Sequence, residues 1–177
     1  MTSFIHLTDT HIVSEGSLAY GRSDTAAALV SAVETINARL PLLDPVDCVV
    51  LTGALTDHGS AEDYTRLRQL LSPLKVPLRA IPGNHDLRDN FHARFPGFDD
   101  GNGFVQYTVE LPELRLVTID TLEEGRHGGA GAARGAAVGC AGVADCCGVV
   151  AWAGCWLDEA CVPGCDIGPA GEEVWGV

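Results

Sequence analysis

Three short segments carry the side chains that could do chemistry: Asp9-Thr10-His11, Gly53-Ala54-Leu55-Thr56-Asp57 and Gly83-Asn84-His85-Asp86. Each follows a short apolar run, the position from which strand-end loops present donors at one edge of a sheet. Together they offer carboxylates, imidazoles and an amide oxygen. Two divalent ions about 3.5–4 Å apart, held by such donors, bind a phosphate ester and activate a bridging hydroxide for in-line attack. Asp9 and His11 are one residue apart, so a tight turn aims both at one ion. Asn84 can give its carbonyl oxygen to a metal, and His85 can act as acid or charge stabiliser. Asp86 can orient His85 from behind. The remaining piece is a carboxylate between the ions, expected from the loop at Gly53, where Ala54 offers only a methyl group.

The elements that must position these residues are legible. Phe4 to Leu7 reads as a strand. Ser23-Asp24 caps a predicted helix from Thr25 to about Leu40, with Ala27, Val30, Val33 and Ile36 as its apolar face. Pro41 and Pro45 end it. Asp47 to Thr52 is an apolar run expected as a buried central strand. Ser60, with Asp63 three positions on, resembles a capping box for a second helix carrying Tyr64, Leu67, Leu70 and Leu71. Val76 to Ile81 is the next strand. This strand–helix rhythm predicts an α/β layered architecture. Phe104 to Glu110 and Leu114 to Asp120 then read as an antiparallel hairpin around Pro112-Glu113.

From Gly128 the composition changes, with Gly, Ala or Cys at 29 of the last 50 positions. Such residues bury little apolar area, and no period persists. Residues 130–177 are expected to be an anomalous tail, read out of frame from a GC-rich gene or otherwise degraded. Six of the seven cysteines lie there, but without a Cys-x-x-Cys pair their spacing suits a zinc module poorly. A formal net charge of -13 argues against a nucleic-acid polymer as partner. The N-terminal residues have no signal-peptide pattern, and no apolar run would span a bilayer. The expected setting is the cytoplasm, with no membrane partner.

The three motifs in order resemble those of the calcineurin-like metallophosphoesterases, and within them the bacterial class III cyclic-nucleotide phosphodiesterases. The residues concerned are Leu7 to His11, Val50 to Gly59 and Arg79 to Asp86, with the runs 104–107 and 114–121 also similar. The resemblance covers residues 1–129. It implies an α/β fold, a layered β-sandwich flanked by helices, incomplete here at its C-terminal side. It further implies two divalent ions (Fe, Mn or Zn) and a small phosphodiester substrate such as a 3′,5′-cyclic nucleotide. In the family's roles Asp9 and His11 hold the first ion, Asn84 the second, and His85 is the catalytic imidazole. Ala54 stands where the family has its bridging aspartate, and Asp57 matches a different position of the same motif. No histidine follows His127, so the family's downstream metal histidines are absent. Three readings follow: a two-metal phosphodiesterase, an impaired remnant of one, and a metal-binding or interaction protein acting through its cysteines.

Overall fold

Five consecutive buried residues form β2 (Cys48–Thr52), the strand around which the other elements are assembled. A computed structural model describes residues 2–99 and 101–125, and the backbone of 150–153. β1 (Phe4–Thr8) and β3 (Leu78–Ala80) flank β2 as parallel neighbours, in the order β1-β2-β3. Phe4 lies opposite Cys48 and Thr8 opposite Thr52, while Val49 lies opposite Leu78. Parallel neighbours require crossovers, and two helices supply them: α1 (Thr25–Arg39) and α2 (Ala61–Leu71).

Both helices start where their caps are legible in the sequence. The Asp24 carboxylate accepts from the Ala27 N–H at 2.9 Å, and Ser60 Oγ accepts from the Asp63 N–H at 3.1 Å. The capping box is only half made, because the Asp63 carboxylate is buried and lies 3.8 Å from His58 Nδ1 instead. The apolar face of α1 differs from expectation. Leu29, Val33 and Ile36 are buried, whereas Ala27 and Val30 are exposed. A helix repeats every 3.6 residues, so a strict spacing of three drifts off the buried stripe.

Side chains alternate along a strand, and β2 uses both faces. Leu51 joins Leu29, Val33, Tyr64, Leu67 and Phe91 under the helices. Cys48 and Val50 pack on Leu116, with Phe4, Val109 and Leu114 around them. Leu116 belongs to a second sheet, so the described chain is a two-sheet sandwich with helices on one side. β4 (Thr108–Glu110) and β5 (Arg115–Asp120) form the antiparallel hairpin, with Val109 opposite Leu116. β4 is shorter than the predicted run. Val105 N–H donates to Asp120 Oδ2 at 2.9 Å and Tyr107 N–H to Thr118 Oγ1 at 2.8 Å, so side-chain oxygens take these two N–H groups, while Thr118 N–H still donates to Tyr107 O at 2.9 Å.

α3 (Arg88–Arg94) follows the Gly83 turn, in a stretch for which the sequence pattern gives no element. It has no side-chain cap; Arg88 instead forks onto Asp120 with bonds of 2.7 and 2.8 Å. Phe91 and Phe95 are fully buried and stacked at 5.0 Å. β6 (Val150–Ala153) runs parallel to β5, with Val117 opposite Val150. The rest of the 130–177 tail, with its cysteines, lies outside the described residues. Among the described residues no helix is long and apolar enough to cross a membrane.

Candidate metal centre

β1 and β2 end level with each other, and their loops continue the pairing. Asp9 N–H donates to Thr52 O at 3.1 Å, His11 N–H to Ala54 O at 3.0 Å, and Ile12 N–H to Leu55 O at 3.1 Å. This zipper holds two non-glycine residues in the left-handed region, Asp9 at φ 54° and His11 at φ 40°. Such backbone costs about 1–3 kcal/mol per residue and persists where surrounding bonds over-determine it. The strain sits at the two residues predicted to share the first ion.

Two glycines let the three loops meet. A Cβ at Gly53 would lie 2.6 Å from Asp9 Oδ1, and one at Gly83 only 2.3 Å from the Gly53 carbonyl carbon. Asp86 fastens the contact from beneath. It accepts from Leu55 N–H (2.9 Å), Thr56 N–H (3.0 Å), Thr56 Oγ1 (2.7 Å) and Gly83 N–H (2.8 Å). Burial pushes this carboxyl above the usual aspartate range, while the donated bonds pull it back. Asp86 was expected to orient His85; its oxygens are spent on tying the Gly83 turn to the Gly53 loop.

The residue placed against His85 is Asp57. Its main-chain carbonyl lies 2.9 Å from His85 Nδ1, and its carboxylate Oδ1 lies 3.0 Å from His11 Nδ1. Carbonyl and carboxylate oxygens only accept, so both Nδ1 atoms carry the hydrogen, and a neutral ring then has its lone pair on Nε2. One residue thus fixes the tautomer of both imidazoles, whose rings meet edge-on at 4.8 Å. His11, Asp57 and His85 also form a cluster whose donor atoms lie within 4.8 Å of one another. Sequence reasoning set Asp57 aside; its place four residues after Gly53 in the same loop was the signal. His58 stands beside it, exposed, with Nε2 3.6 Å from Asp57 Oδ2.

Asp9 is the open member of the group, with a side chain 57 % exposed against 15 % for His11. Its Oδ1 accepts from Ala54 N–H at 3.2 Å and lies 4.0 Å from His11 Nε2. One carboxylate oxygen and one imidazole lone pair so placed fit a single divalent ion. Asn84 and His85 are carried on the neighbouring turn, closed by Asp86 N–H donating to Gly83 O at 3.0 Å. Ala54 is 1 % exposed and brings only a methyl group between the two loops. The donors present therefore suit one ion and do not suit a pair sharing a carboxylate. Tyr20 overhangs the edge, its hydroxyl 3.1 Å from His11 Nδ1. Partial burial, followed by the charges of Asp57 and Asp9, holds its phenol above the usual range.

Comparison with known proteins gives this geometry a relationship. The chain is 33% identical over 127 residues to a probable glycerophosphodiester phosphodiesterase of Arcobacter nitrofigilis, covering 71% of this chain and 45% of that protein. It is 39% identical over 122 residues to a probable cyclic nucleotide phosphodiesterase of Rhodopseudomonas palustris, covering 68% and 43%. It is also 32% identical over 117 residues to a 3′,5′-cyclic adenosine monophosphate phosphodiesterase of Pseudomonas aeruginosa, covering 66% and 40%. The chain therefore spans less than half the length of these curated relatives. The profile of the calcineurin-like phosphoesterases matches residues 2–130. On these matches, the chain belongs to the calcineurin-like phosphoesterase family.

Proposed function

We propose that this scaffold serves hydrolysis of small phosphodiesters, 3′,5′-cyclic nucleotides among them, and that in this chain the site is impaired. The observation that carries the second half is Ala54, buried between the loops where a shared carboxylate would have to stand. Relatives named for cyclic nucleotides and glycerophosphodiesters support the first half. A bound divalent ion, whether Fe, Mn or Zn, would neutralise and polarise the phosphodiester anion. Asp9 and His11 Nε2 are the residues to hold it, with Asn84 beside a weaker second position.

The chain's own residues have further parts. Asp57 fixes His11 so that its Nε2 lone pair is free for an ion. Its main-chain carbonyl holds His85 by Nδ1, so in the imidazolium form the Nε2 proton would be the one given to the leaving oxygen of the diester as its P–O bond breaks. In a chain of formal charge -13, a diester anion is repelled unless a cation is present. Weak ion binding is then enough to make turnover low or absent. The test is hydrolysis of bis(4-nitrophenyl) phosphate in manganese by the chain and by Ala54→Asp. Little or no turnover by the chain, with a gain in the variant, is expected. Brisk turnover by the unaltered chain would overturn the impairment.

A further inference from the structure

We propose that Tyr20 is a substrate-binding residue, its hydroxyl donating a hydrogen bond to a phosphate oxygen of the ligand held at Asp9 and His11. The inference rests on the reading of that site as a phosphodiester site. It starts from proton accounting around His11. The Asp57 carboxylate, 3.0 Å from Nδ1, requires the hydrogen to be on that nitrogen. The Tyr20 hydroxyl lies 3.1 Å from the same Nδ1 and so cannot donate to it. The acceptor left to it on the ring is the Nε2 lone pair at 3.5 Å. That is the lone pair an ion on His11 would use. With Nε2 taken, the hydroxyl hydrogen has no acceptor among the described residues and is left for a ligand.

The backbone gives a second, independent observation. Arg22 N–H donates to Ala19 O at 3.1 Å and Ser23 N–H to Ala19 O at 3.0 Å, closing a tight hairpin turn. Its central residues Tyr20 and Gly21 are both left-handed, at φ 53° and 68°. Glycine or asparagine suits the first of these places, and a tyrosine there is disfavoured. The turn nonetheless carries an aromatic residue 60 % exposed whose polar tip is brought against His11, with ring centroids 5.4 Å apart. Neither core packing nor turn chemistry asks for a tyrosine at this position. A donor aimed at the mouth of the site accounts for both the residue type and the strain.

The experiment compares the chain with Tyr20→Phe, which keeps the ring and the turn and removes only the hydroxyl. Calorimetric titration with Mn²⁺ comes first, then with inorganic phosphate and 3′,5′-cyclic adenosine monophosphate on the Mn²⁺-loaded protein. The same series is run with Ala54→Asp as the parent, where ion binding is expected to be stronger. The expected result is unchanged Mn²⁺ affinity with phosphate and nucleotide binding weakened about tenfold or more, as suits a bond to a charged oxygen. Equal ligand affinity in parent and Tyr20→Phe, or loss of Mn²⁺ binding in step with the ligand, would overturn the role given to Tyr20. If neither parent takes up Mn²⁺, the reading of the site fails first, and the Tyr20 proposal falls with it.

Discussion

Replacing Asp86 with alanine should be among the most damaging single changes available in the described chain. The carboxylate is 1 % exposed and receives four hydrogen bonds, three from the main-chain N–H groups of Leu55, Thr56 and Gly83. The Thr56 hydroxyl can rotate to another partner, but the three N–H groups are fixed in tight loops. Each orphaned buried donor costs about 1–3 kcal/mol. A water entering the vacated space can satisfy one of them, and the variant no longer carries a buried charge. We therefore expect a net loss of about 3–5 kcal/mol, against about 5–15 kcal/mol for a whole domain. In urea this is a fall in midpoint of about 1.5–2.5 M for a slope near 2 kcal/mol/M. Asp86→Asn should recover little, because its amide hydrogens would face N–H donors. Burial raises the Asp86 carboxyl above its unfolded value, so the native chain binds the extra proton in that window. Its contribution is full below the unfolded value and declines as pH rises through the raised one. The gap between the two proteins should thus widen as pH falls toward the ordinary aspartate range. A loss under about 1 kcal/mol with an unchanged slope would refute the reasoning.

Three other changes test the remaining parts of the account. Asp57→Asn leaves the main-chain bond to His85 but weakens the hold on His11 Nδ1; metal affinity should fall about 10–100-fold, with a smaller effect on unfolding. In α1, Leu29→Ala should cost about 2–5 kcal/mol. Val30→Lys, on the exposed side, should stay within about 0.5 kcal/mol of the parent. Equal effects at 29 and 30 in thermal or urea unfolding would mean the helix face is wrongly assigned.

What the sequence made legible was local chemistry. The run from Cys48 to Thr52 reads as a central strand because it is apolar at every position but its last and needs cover on both faces. Asp24 and Ser60 read as caps because a short side-chain oxygen before an apolar period has few other uses. The motifs at Asp9, Gly53 and Gly83 marked the family through residues 1–129, in keeping with the match over 2–130. The rest depended on distance in space. Nothing in the spacing of Asp86 from His85 shows that its oxygens are spent on Leu55, Thr56 and Gly83. Tyr20 reaches His11 only because a strained turn at Tyr20-Gly21 brings its hydroxyl there. α3 lacks a cap and is held by Arg88 on Asp120, 32 residues away. The shortened β4 likewise reflects side-chain acceptors from β5 that a strand pattern does not show.

The central claim is that the loops of this chain hold one divalent ion where the family's chemistry needs a bridged pair. Mn²⁺ stoichiometry, measured by calorimetry and by metal analysis after gel filtration, tests it directly in the chain and in Ala54→Asp. The account predicts at most one weakly held ion for the chain and tighter or additional binding once a carboxylate stands at position 54. Two tightly bound ions in the unaltered chain would contradict it.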